Sequence, residues 1–122
     1  MISGEEAIAK IESEFPELAE AIHDEIYEGL LHLQIAEFSR LTQKAIDDGD
    51  KAKFTKICAL FKFLFLNGSP DLVNALNVSF LEHLNVTDGK KKRAWAYDAM
   101  PALTKKAFDE MAEYNRQIHG DG

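Results

Sequence analysis

Between Leu30 and Leu84 the apolar residues of this chain recur every three to four positions. Two short polar breaks, DDGD (47–50) and NGSPD (67–71), cut that pattern into helix-length pieces. Leu31, Ile35, Phe38, Thr42 and Ala45 form one row, flanked by Leu33 and Leu41. Leu72, Leu76, Phe80 and Leu84 form another at steps of four. Between them, residues 51–66 are apolar nearly all round. The alternation Phe61, Phe63, Phe65 is open to a strand, but no second strand candidate exists to pair with it. A helix is expected there, as the most enclosed element.

The breaks carry their own chemistry. Gly49 is placed to end one helix and Asp50 to cap the next. Gly68 is expected in a left-handed C-terminal position, with Ser69 as cap and Pro70 at the first helical position, so that 51–85 forms a helix–turn–helix hairpin. Upstream, Ser3 and Glu6 have the spacing of a capping box, followed by the stripe Ile8, Ile11, Phe15. Pro16 punctuates and opens a second segment in which Leu18, Ala21, Ile22 and Ile26 are expected to face inward.

An unbroken helix over 17–48 would be about 48 Å long, against a radius of gyration near 14 Å for a domain of this size. A break is therefore expected between His23 and Gly29. Downstream, a short helix around 90–98 holds Trp95. Pro101 opens a last helix with the stripe Leu103, Ala107, Met111, Tyr114/Ile118, and 120–122 is expected to fray. The fold expectation is all-α: five to seven antiparallel helices in one domain, residues 1–119, HEAT-like or orthogonal. The HEAT-like element rests on SPDLVNALNVSFLEHL (69–84), which resembles the second helix of such a repeat.

Charge is sorted along the 122 residues. Residues 1–50 hold 13 Asp and Glu against 3 Lys and Arg, whereas 51–122 hold 8 against 11, within a net charge of −7. Such asymmetry bears on partner choice rather than fold. Glu17, Glu20, Asp24 and Glu28 fall on one side of a continuous helix, with Glu12, Glu14 and Glu25 nearby and no Lys at i+4 within that row. Unrelieved repulsion costs stability, so these seven residues are the candidate docking surface for a basic protein. The run Lys90–Arg93 beside Trp95 and Tyr97 has the composition of a phosphate contact. Four charges in an acidic chain make a poor nucleic-acid footprint, and an internal salt link to the acidic half is expected instead. An alternative partner surface comprises Asn74, Asn77, Lys91, Arg93 and Trp95, because Asn is a poor helix-interior residue unless its amide has something to bind.

No catalytic constellation stands out. Ser79 and His83 are an i, i+4 pair with no third member to orient them. His32, Glu28 and Glu25 lack any metal-ligand spacing, so His32 is read as a partly buried, hydrogen-bonded side chain. Cys58, the one cysteine, reads as a small buried hydrophobe. The start MISGEEAIAK has no basic region followed by an apolar run, and the longest apolar stretch is too short to span a bilayer. The expectation is a cytoplasmic protein without enzymatic activity, cofactor, metal, nucleic-acid or membrane partner.

The stretch 74–107, NALNVSFLEHLNVTDGKKKRAWAYDAMPALTKKA, together with FPELAEAIHDE (15–25) and EGLLHLQIAEFSRLTQKAIDDGD (28–50), resembles a family of small bacterial helical proteins. That family includes immunity proteins of contact-dependent inhibition and other polymorphic toxin systems. The shared motifs are packing and turn residues, and no catalytic residue comes across with them. The resemblance implies an immunity protein that neutralises a cognate toxin domain, a basic nuclease, through an acidic surface. The alternative is a helical adaptor with a HEAT-like concave surface.

Overall fold

In a computed structural model, which describes residues 1–119, the chain is all-α. Seven α-helices occur among the described residues: α1 (Gly4–Glu14), α2 (Ala19–Ile22), α3 (Leu31–Asp48), α4 (Lys51–Asn67), α5 (Pro70–Ala75), α6 (Ala94–Ala99) and α7 (Ala102–His119). A 3-10 turn over Pro16–Leu18 leads into α2. After α5 the helix widens into a π-turn over Leu76–Phe80 and tightens to a 3-10 turn over Leu81–His83. The stretch 120–122, where fraying is expected, lies outside the described residues.

Local chemistry sets the boundaries. Ser3 accepts from the Glu6 amide while the Glu6 carboxylate accepts from the Ser3 amide, a complete capping box. Gly49 ends α3 at φ +68°, in the left-handed region, and Asp50 caps α4 by accepting from the Lys53 amide. Ser69 caps α5, with Pro70 in its first turn. The chain leaves helix between Ile22 and Leu31, a stretch that spans the His23–Gly29 interval where the length argument placed a break.

Gly68 departs from expectation. It is extended (φ −80°, ψ 153°), because the chain start pairs with it: Ile2 donates to the Asn67 carbonyl and accepts from the Ser69 amide. Glycine is needed there for close approach, since a Cβ would lie 2.6 Å from the Leu64 carbonyl oxygen.

The core is organised by α3, which packs against α1, α2, α4 and the π-turn. Its buried side chains are Gln34, Ile35, Phe38, Ser39, Leu41, Thr42, Ala45 and Ile46. A row of rings crosses the interior: Phe15 on Phe38 (6.0 Å between centroids), Phe38 on Phe80 (4.9 Å), Phe80 on Phe61 (5.1 Å) and Phe61 on Phe65 (5.3 Å). Leu72, Leu76, Phe80 and Leu84 are all buried, as their spacing requires, although the π-turn interrupts the helix that carries them.

The all-round burial expected for 51–66 does not hold. α4 buries Phe54, Ile57, Cys58, Leu60, Phe61 and Leu64, a helical stripe, and leaves Phe63 and Leu66 44% and 59% exposed. Among the described residues no element buries its outer face, so α3 rather than α4 is the most enclosed helix. Three further residues expected to face inward turn outward. Ile26 is 73% exposed, because α2 ends at Ile22 and the following residues form a surface turn. On α7 Ala107 is buried and Leu103 and Met111 pack against the core, but Tyr114 and Ile118 lie on solvent where the helix runs past its neighbours. The helix expected over 90–98 begins only at Ala94, leaving Lys90–Lys92 in the preceding loop. No helix among the described residues is long and apolar enough to cross a membrane.

Candidate protein-docking surface

The acidic residues do not form the single helical row that their spacing implied. Glu12 and Glu14 sit on α1, Glu17 on the 3-10 turn and Glu20 on α2. Asp24, Glu25 and Glu28 lie in the turn segment between α2 and α3. Several are neutralised by neighbours, some of which helical spacing could not reveal. Lys53 reaches across from α4 to Glu17, and that hydrogen bond holds the Glu17 carboxyl below the usual carboxylate range. Lys10 pairs with Glu14 at 3.3 Å. Lys56 Nζ donates to the Glu14 carbonyl and lies over the Phe15 ring.

His23 joins two more of them. Its Nε2 is 2.6 Å from Glu12 Oε2 and its Nδ1 is 2.8 Å from Glu28 Oε2. These two hydrogen bonds, the one to Glu12 first, raise the imidazole above its ordinary value of 6.5. Asp24 is committed locally, its Oδ1 accepting from the Ile26 amide in a tight turn. Glu20 and Glu25 are exposed and meet no cation among the described residues.

The segment carrying these charges is held at both ends and free in the middle. Ile22 is fully buried, and the buried Gln34 amide donates to the Ile22 carbonyl, satisfying the end of α2. Tyr27 and Glu28 amides return to the Asp24 carbonyl, and Gly29 takes φ +78° to enter α3. The result exposes Ile26, Leu30 (49%) and Leu33 (39%). Ile26 and Tyr27 face Glu37 of α3 across a groove of about 300 Å³, also lined by Ala21 and Asp24. Leu33 and Glu37 stand four residues apart on one face of α3, and Leu30 is the non-helical residue that precedes the helix. Exposed apolar side chains thus stand among acidic ones over residues 20–37, and Arg40 pairs with Glu37.

The alternative set is not one surface. Asn74 lies one turn past Ser69, beside the C-terminal end of α4. Trp95 packs edge-on against Phe54 near the N-terminal end of α4, ring centroids 5.3 Å apart. α4 is 17 residues long, so about 25 Å of helix separates its ends. Asn77 is half-buried in the π-turn, and Lys91 is exposed in the loop. Arg93 makes the internal link expected of the basic run: its Nε lies 2.7 Å from Asp47 Oδ1, and that contact holds Asp47 below the usual carboxylate range.

Periodicity did not reveal a polar seam along α3. His32, Ser39, Gln43 and Asp47 stand at i, i+7, i+11 and i+15 and clamp the irregular chain opposite. His32 Nδ1 meets Ser79 Oγ at 2.8 Å, and Ser39 donates to the Phe80 carbonyl. Gln43 both donates to the Asn85 carbonyl and accepts from its amide. Ser79 therefore serves His32 rather than His83. His32 itself is exposed, not partly buried, but it is hydrogen-bonded as expected. Only the 3.6-residue phase of these four side chains could have signalled the seam.

Geometry and sequence together define an all-helical domain that exposes apolar and acidic side chains over residues 20–37. Residues 8–120 match the model of a family described as a domain of unknown function, DUF7674, and the chain belongs to that family. No curated protein and no solved structure matches it.

Proposed function

We propose that this protein is a binding protein of the immunity type, which docks a basic partner domain on the strip formed by Ile26, Leu30 and Leu33 and their acidic surround. The observation that carries this reading is the exposure of three large apolar side chains, Ile26, Leu30 and Leu33, close together in the chain. Glu20 and Glu25, near them in the chain, are exposed and meet no cation among the described residues. Apolar area at the centre of a contact supplies affinity, and a charged rim supplies steering and selection against acidic partners. A basic nuclease domain has the complementary charge, and masking it needs no chemistry from this chain.

The test is to look for a basic toxin domain encoded by a neighbouring gene and to coexpress the two; absence of such a gene counts against the reading. Restored growth, together with a 1:1 complex by native mass spectrometry, supports the reading. Growth arrest with no complex, when both proteins are soluble, overturns it.

A further inference from the structure

Resting on that docking surface, we infer that His23 is a pH-controlled clasp: as an imidazolium it ties the segment 24–30 to α1, and it releases the segment when it loses its proton. The argument is one of hydrogen-bond inventory. A neutral imidazole has one N–H donor and one lone pair, whereas an imidazolium has two donors. A carboxylate, such as Glu12 or Glu28 offers here, can only accept. Both face ring nitrogens at hydrogen-bond distance, so both contacts hold only with both nitrogens protonated. On deprotonation one nitrogen turns a lone pair toward a carboxylate, and that contact opens.

The surroundings leave the carboxylates unopposed. The cleft around His23 is lined by Glu5 and Glu12 from α1 and by Glu28 from the turn segment, while α3 contributes Gln34, which is uncharged. Glu20 and Asp24 flank His23 along the chain, and no Lys or Arg lines the cleft. Without the positive ring, three carboxylates would repel one another there, and the mobile partner is Glu28. Glu12 is fixed on a capped helix whose neighbour Ile11 is fully buried. Glu28 sits on a segment that buries little: Ile26 and Leu30 are exposed and only Tyr27 is half-buried. Its internal hydrogen bonds return to its own backbone and to Asp24, so the Glu28–His23–Glu12 bridge is its cross-link to α1.

The sign follows from the raised imidazole. The clasp is complete below the ordinary histidine range and is lost as pH rises through the raised value. Ordering of Ile26 and Leu30, and with it preorganisation of the docking strip, therefore falls on the alkaline side.

The experiment uses the free protein, so its outcome is separate from whether the basic-partner reading holds. Heteronuclear NOEs of the 25–29 amides are measured by NMR from pH 5.5 to 9, alongside the ring shifts of His23. The expected result is high, rigid values at acidic pH that drop with the same midpoint as the His23 ring, a midpoint above 6.5. His23→Ala should give the low values at every pH, and Glu28→Gln should flatten the transition while the far-ultraviolet dichroism of both variants stays native. NOEs independent of pH, or unchanged in His23→Ala, overturn the clasp.

Discussion

Ser39 donates its hydroxyl to the Phe80 carbonyl, 3.1 Å away, at the end of the π-turn that follows α5. A π-turn displaces carbonyls from the usual helical ladder, and one that is buried must find another donor. Both residues are nearly inaccessible, Ser39 at 3% and Phe80 at 2%. Ser39→Ala should leave the Phe80 carbonyl dry and unpaired, at a cost of about 1–3 kcal/mol by urea denaturation. Lys44→Ala, on the exposed face of the same helix, should move stability by less than about 0.5 kcal/mol.

Phe61 and Phe63 divide the apolar run of α4 into its two faces. Phe61 is fully buried and stacks on Phe80 and Phe65, so Phe61→Ala removes burial and opens a cavity, costing about 3–5 kcal/mol. Phe63 is 44% exposed, with the Lys10 ammonium 5.3 Å from its ring centre. Phe63→Ala should cost under about 1.5 kcal/mol, since only part of its area is removed from water. Equal losses for the two would restore an all-round buried helix.

Elements whose ends carry their own chemistry were legible in the sequence. Ser3 with Glu6, Gly49 with Asp50 and Ser69 with Pro70 mark helix boundaries without help from the rest of the fold. Ile26 was misread because a 3.6-residue pattern was carried past the point where α2 stops. The acidic side was misread for a related reason. Helical spacing reports neighbours at i+3 and i+4, whereas Lys53 reaches Glu17 from another helix and His23 bridges Glu12 and Glu28 across a turn. Phe63 and Leu66 failed differently: hydrophobicity states what a residue prefers, not whether the fold supplies a cover.

Asp47 and Arg93 link the last turn of α3 to the start of α6, and this pair predicts an acid-side dependence. The Arg93 guanidinium holds Asp47 below its ordinary value of 3.8, so the contribution is present above that value and is lost as pH falls through the depressed one. Asp47→Asn keeps an acceptor for Gln43 but removes the charge. Its urea midpoint should lie below wild type at pH 7, and the gap should close as pH is lowered beneath 3.8. A gap independent of pH would show that the pairing contributes nothing electrostatic.

Cys58 is 5% exposed, and burial alone pushes its thiol up to about 11. The thiolate is the reactive form, so the folded protein should be nearly inert to a disulfide reagent at pH 8. The same reagent should titrate one thiol in denaturant, and the folded-state rate should follow the opening of the core. Fast stoichiometric labelling of native protein would place Cys58 at the surface.

The docking strip makes the sharpest demand on the charge pattern, because the acidic residues are not equivalent. Glu17 is held by Lys53, and Glu12 and Glu28 by His23, whereas Glu20 and Glu25 have no such partner. Reversal of Glu20 and Glu25 to Lys should leave the fold intact, since neither side chain supports another. It should weaken binding to the basic partner domain by at least tenfold and flatten its salt dependence, measured by calorimetry across ionic strength. Ile26→Ala should weaken the complex mainly by speeding dissociation, because an apolar contact at the centre of an interface acts after encounter. Lys91→Ala and Lys92→Ala should leave it unchanged. If the double reversal binds normally while the loop lysines matter, the partner docks on the basic half, and the acidic surface serves solubility.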